Sequence, residues 1–125
     1  MPATTFESNT KLTSIDLKNN EITSIAPHTF DNLPELVSLN LRFNKITSIP
    51  SLSFQNLGKL ESLILFNNKI KRVEKDALFG LSELTHLYLM NNQITTLPDN
   101  VFASMKNLRE LHLGKIIFSF TTFHT

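Results

Sequence analysis

The sequence predicts a solenoid, in which one short strand-and-return unit is stacked on itself to build a parallel sheet. Three observations predict it. Leu12, Leu36, Leu60, Leu84 and Leu108 recur at a fixed interval of 24 residues. Each of the first four opens the same phrase: Leu12, Ile15, Leu17, Asn20, Ile22; then Leu36, Leu39, Leu41, Asn44, Ile46; then Leu60, Leu63, Leu65, Asn68, Ile70; then Leu84, Leu87, Leu89, Asn92, Ile94. Phe30, Phe54 and Phe102 stand six residues before the next opening leucine. A period of about 20 to 50 residues marks a stack in which each unit buries its apolar face only against its neighbours.

The strand comes first. In Leu-x-x-Leu-x-Leu the last two leucines are two apart, so both point to one side of an extended chain and the residues between them to the other. A single strand of this kind cannot bury its apolar face. Stacked copies form a parallel sheet with a leucine column behind it. The turn comes next, at Asn20, Asn44, Asn68 and Asn92. The side-chain amide there is expected to be buried and to bond backbone groups of its own turn and of the next repeat. Ile22, Ile46, Ile70 and Ile94 then re-enter the core, as do Ile25, Ile49, Val73 and Leu97. The return arm closes each unit. It carries the Phe positions, with Leu78 holding that place in the third repeat and Phe79 beside it, and then Leu33, Leu57, Leu81 and Met105. Ten Phe and no Trp suit this layer, because Phe fills it without needing a hydrogen-bond partner.

Continuing the phase backward puts Phe6 on the Phe30 position and Met1 on the Ile25 position. Residues 1–11 therefore read as the end of a preceding, truncated repeat, residues 12–113 as the repeats, and residues 114–125 as a non-repeat tail. In the tail, Ile116 stands where Asn is required and Thr121 where an apolar residue is. Two readings of it stand. Gly114-Lys115 can be encoded by GGTAAG or GGTAAA, which contain a splice-donor-like GTAAG or GTAAA, so the tail is either translated intron or a divergent end that folds over the last repeat. An uncapped stack exposes unpaired strand edges and core leucines, so self-association through the ends is expected.

The repeated phrase resembles the leucine-rich repeat family, in its 24-residue form, over Met1 to about Leu113. The resemblance implies a curved α/β solenoid: short parallel strands on the concave side, irregular or 3-10 segments on the convex side, and here no caps. The form is similar to the ectodomains of Toll-like receptors, Slit-type guidance proteins and small leucine-rich proteoglycans. It is also similar to the non-catalytic subunits of decapod luciferin monooxygenases. Secreted members usually close their ends with disulfide-bonded modules, whereas this chain has no Cys. No signal peptide or Asn-x-Ser/Thr acceptor is visible. The expectation is a fragment of a larger extracellular or cell-surface protein.

Composition narrows the partners. The 125 residues suit one domain. A formal net charge of +1 gives no electrostatic case for nucleic acid or a membrane surface. No run of about 18 apolar residues offers a membrane span.

Function is sought on the outward positions of the sheet, since the fold names no ligand. Three columns follow from the phase: Ser14, Ser38, Ser62, His86, Glu110; Asp16, Asn40, Ile64, Tyr88, His112; and Lys18, Arg42, Phe66, Met90. The first two repeats present polar groups. The third and fourth present Ile64, Phe66, Tyr88 and Met90, which strand spacing of about 4.8 Å makes one patch. Such a patch marks a protein-binding site with Tyr as anchor; the bland reading is surface side chains packed on one another across strands. Arg42, His86 and His112 border it, and Phe43 extends it toward Arg42.

Two smaller clusters carry other chemistry. His86, Glu110 and His112 could hold a divalent metal or make a pH-sensitive contact, against a coincidence of surface residues. Lys69, Lys71, Arg72 and Lys75 could meet a sulfated glycan, against a solvated loop diluted by Glu61, Glu74 and Asp76. No nucleophile, zinc or phosphate-loop motif is present, and no cofactor is called for. The leading expectation is a non-enzymatic protein-interaction module. The alternatives are a non-catalytic subunit of a luciferin-monooxygenase-type complex and a cytoplasmic leucine-rich repeat scaffold.

Overall fold

The computed structural model describes residue 1 and residues 5–114. Both readings of the tail beyond Gly114 fall outside the described residues. Seven short strands are present: β1 Ser14–Asp16, β2 Ser38–Asn40, β3 Ser48–Ile49, β4 Ser62–Ile64, β5 Arg72–Val73, β6 His86–Tyr88 and β7 Glu110–His112. Five of them form a parallel sheet in the order β1-β2-β4-β6-β7, and β3 pairs with β5 in a second, two-stranded ladder. The register is the sequence period itself. Ser14 lies opposite Ser38, Ser38 opposite Ser62, Ser62 opposite His86 and His86 opposite Glu110. The return arms are turns and the short β3–β5 ladder. Of the two expectations for that side, the irregular one holds, and no helical segment occurs among the described residues.

The core lies between the sheet and the return arms. Leu39, Leu63 and Leu87 at the strand centres are fully buried, and so are Leu36, Leu60 and Leu84 that open their repeats. Phe6, Phe30 and Phe54 form one stacked column, with ring centroids 6.0 and 5.9 Å apart. Leu78 is buried where that column would continue, and Phe79 is turned out and exposed.

The backbone ladder runs past each strand. The N–H of Leu41 donates to the carbonyl of Ile64 at 2.8 Å and that of Phe43 to Phe66 at 3.2 Å. The chain then turns inward through a left-handed residue: Asn19, Phe43, Asn67 or Asn91, with φ between 56° and 59°. The Asn that follows makes the cross-repeat bonds, but in the direction opposite to the expected one. Asn44 Nδ2 donates to Leu41 of its own turn and to Leu17 of the preceding repeat, both at 3.0 Å, and its Oδ1 accepts the N–H of Ile22 at 3.1 Å. The reason lies in the ladder. The carbonyl at the end of each strand faces the next repeat and takes two amides: Leu17 accepts from Asn20 and Asn44, and Leu41 from Asn44 and Asn68. Asn44 and Asn68 are accordingly buried. Asn20 is exposed and bonds only the carbonyls of Leu17 and Lys18 in its own turn.

Candidate functional site

Each outward side chain of the sheet sits at a position set by the register. Asp16, Asn40, Ile64, Tyr88 and His112 form one lateral row. The polar end of the row is self-satisfied. Asp16 Oδ1 accepts the N–H of Lys18 at 3.1 Å, and Lys18 Nζ lies 3.4 Å from Asp16 Oδ2. The Lys18 backbone bond is the main reason the Asp16 carboxyl is held below its usual range. Asn40 Oδ1 likewise accepts the N–H of Arg42.

Ile64 and Tyr88 break this pattern. With Arg42, Ser62, Phe66 and His86 they line an open hollow of about 520 Å³. Ile64, Phe66, Tyr88 and Met90 are half-buried rather than fully exposed. Strands about 4.8 Å apart let each side chain cover part of the next. The Arg42 guanidinium stands over the Phe66 ring at 5.7 Å. Phe43 meets Phe66 edge-on, centroids 5.6 Å apart at 77°. Tyr88 lies flat against His112 at 4.8 Å and near-parallel to His86 at 6.3 Å. Met90 does not line the hollow; it packs beside Gly114, where a Cβ would come within 2.9 Å of the Met90 Cβ.

His86, Glu110 and His112 come together through hydrogen bonds. Glu110 takes His86 Nε2 on one carboxylate oxygen at 3.0 Å and His112 Nε2 on the other at 3.2 Å. The His112 bond is the largest cause holding the Glu110 carboxyl below its ordinary value, with the His86 charge adding to it. The carboxylate is thus shared between two imidazoles. Among the described residues no group of three His, Cys, Asp or Glu is placed to hold a metal ion. On the opposite side, Lys71, Arg72 and Lys75 line a separate hollow of about 430 Å³ with Glu74 among them, and Lys69 is not part of it.

The phase therefore places the predicted residues Arg42, Ile64, Phe66, His86 and Tyr88 around one hollow, His112 against its Tyr, and Met90 beside it. Ser62 was legible only as a column member; its lateral pairing with His86 is what brings it to the hollow. The Arg42–Phe66 stacking lies between adjacent repeats in one column, a relationship the register implies and the residue types favour.

The sequence model of the leucine rich repeat matches residues 1–46, 34–94 and 82–115. No curated protein sequence matches the chain significantly. Among solved structures, the chain is similar to a protein in a TLR13–ssRNA13 complex, at 30% identity and a TM-score of 0.82 over 86% of this chain. It is also similar to the plant peptide hormone receptor RGFR1 in complex with RGF2, at 27% identity and a TM-score of 0.77 over 94% of this chain. The match spans 15% of the first of those chains and 19% of the second. With the family sequence model matching along nearly its whole length, a 24-residue register and an Asn ladder, the chain belongs to the leucine-rich repeat family.

Proposed function

We propose that the chain is a non-enzymatic protein-binding module that takes a partner on the open face of its five-stranded sheet. Ile64, Phe66, Tyr88 and Met90 make the contact, with Arg42, His86 and His112 at its margin. One observation carries the reading: a contiguous apolar and aromatic hollow on a sheet whose other half is polar and internally paired. Rigid aromatic anchors on a preformed surface bind at low entropic cost. The setting we infer is the ectodomain of a longer leucine-rich repeat protein, outside the cell or at its surface. Two similar solved proteins are in complexes, one with ssRNA13 and one, a plant peptide hormone receptor, with RGF2. Both chains are several times longer than the part matched here. Self-association through the edge strands β1 and β7 is a further partner class in this reading, tested by sedimentation at several concentrations.

The test is binding of the full chain to an array of extracellular proteins, compared with the Phe66→Ala/Tyr88→Ala double variant. The expected result is loss of the captured partner with the thermal unfolding midpoint little changed, because both side chains are only half-buried. Unchanged capture by the double variant sinks the proposal.

A further inference from the structure

The charges around the hollow are not balanced alike. Lys18 is paired with Asp16. His86 and His112 both lean on Glu110. Arg42 belongs to none of the ion pairs among the described residues. Its Nε is covered from solvent and has no hydrogen-bond partner. Its guanidinium stands over Phe66, and its charge reaches the Asp16 carboxylate without an ion-pair contact. A covered donor on a permanently charged group is destabilising until something accepts from it. Ser62 and Tyr88 line the same hollow. One planar cation outside every ion-pair contact among the described residues thus borders an apolar floor made by Ile64 and Phe66.

We propose that the hollow takes an extended peptide segment of the partner, in which an acidic side chain stands two residues from a bulky apolar one. The carboxylate meets the Arg42 guanidinium, whose fork matches a carboxylate in two parallel bonds. The apolar side chain lies on Ile64 and Phe66 against the Tyr88 ring. The spacing follows from geometry. Residues two apart in an extended chain share a face and lie about 7 Å apart, and Ile64 lies one strand over from Arg42 and two residues along, about 8 Å away. This rests on the sheet-face reading above and specifies the chemistry of its ligand. An RNA strand suits the face less well. It carries a phosphate per nucleotide and needs several cations, whereas the sheet face offers one unpaired Arg and the whole chain a net charge of +1.

The test probes a synthetic peptide array with the full chain. A Gly-Ser frame holds Glu-x-Phe, with Gln-x-Phe and Glu-x-Ser as controls, and a single-stranded uridine oligomer is spotted beside them. Glu-x-Phe should bind more tightly than Gln-x-Phe by about tenfold or more, the effect of one charge-assisted bond. Arg42→Gln should bring the two peptides to equal, weakened binding, the non-additive result of a direct pair. The Glu-to-Gln comparison on the unaltered chain needs no variant to fold. Equal binding of both peptides, lost in Phe66→Ala/Tyr88→Ala, overturns the acidic specificity and leaves the sheet-face site standing. Binding untouched by that double variant overturns the sheet-face reading as well. Capture of the uridine oligomer through Arg42, or of no peptide at all, overturns the peptide assignment.

Discussion

Asn68 Oδ1 accepts the backbone N–H of Ile46 at 3.1 Å across 22 residues of sequence, while Asn68 Nδ2 donates to the carbonyls of Leu41 and Leu65 at 3.0 Å. One buried amide thus ties two repeats where the strand ladder has run out. Asn68→Leu leaves the Ile46 N–H without a partner in the core, while the Leu41 and Leu65 carbonyls each lose one of two amide donors and keep Asn44 and Asn92. At about 1–3 kcal/mol for a buried polar group left unpaired, plus the two carbonyl bonds lost, the expected loss is about 2–3 kcal/mol. Asn20→Ala removes bonds to two exposed carbonyls of one turn only. Its expected cost is under about 1 kcal/mol, since water replaces those bonds. Urea unfolding of the two variants checks this. Similar losses at both positions would refute the cross-repeat role.

Gly80 should lose stability on substitution by alanine, and Gly58 should not. Gly80 has φ +95°, and a Cβ there would stand 2.2 Å from the backbone oxygen of Gln55 in the preceding repeat. Backbone cannot yield as a flexible side chain can, so Gly80→Ala forces adjacent return arms apart and costs about 1–3 kcal/mol. Nothing lies within 4 Å of a Cβ built on Gly58. Gly58→Ala is expected to be neutral or stabilising by about 0.4–1 kcal/mol, through the reduced freedom of the unfolded chain. Thermal unfolding midpoints report both, and a stable Gly80→Ala variant contradicts the close approach.

Most of the fold was legible because the stack has one period. A 24-residue offset fixes strand register, core column and outward column together, and the observed pairs Ser38–Ser62 and Ser62–His86 are that offset. The direction of the Asn bonds was not legible. It depends on which way the strand-end carbonyls of Leu17 and Leu41 point, which residue types alone do not encode. The site was legible by position and less so by geometry. The columns place Tyr88 beside His112, but not flat against it at 4.8 Å. They place Arg42 beside Phe66, but do not show that its Nε goes unpartnered.

Glu110 should titrate below the ordinary carboxylate value of 4.5, chiefly because His112 hydrogen-bonds its ionised form. A carboxyl whose folded value is depressed contributes stability that is fully present above its unfolded value and is lost as pH falls through the folded one. The window is therefore acidic, below about 4.5. His112→Ala should move the Glu110 midpoint upward toward the ordinary value, read from its side-chain carboxyl carbon by NMR. A midpoint that does not move assigns the depression to another cause, with His86 the next charge to test.

Phe43 should trade stability for binding. It occupies the left-handed turn position with φ 56°, where Asn19, Asn67 and Asn91 stand in the other repeats. Asn tolerates that conformation, whereas a bulky side chain there is strained by roughly 1–2 kcal/mol. The ring is 45% exposed, so little apolar burial offsets the strain. Its main contact is the edge-on approach to Phe66 at 5.6 Å, and such pairs contribute about 0.5–1.5 kcal/mol. Phe43→Asn removes the strain and places an amide beside Asn67, which already bonds Asn91 laterally at 2.9 Å. The net expectation is a gain of about 0.5 kcal/mol in unfolding free energy, the strain relief minus the lost ring contact. Binding on the sheet face should fall several-fold, because Phe66 loses its edge-on ring neighbour beneath Arg42. Backbone strain retained beside a recognition surface is the pattern expected when a position serves the ligand more than the fold. A Phe43→Asn variant that is less stable, or one that binds as tightly as the parent chain, assigns Phe43 to packing instead.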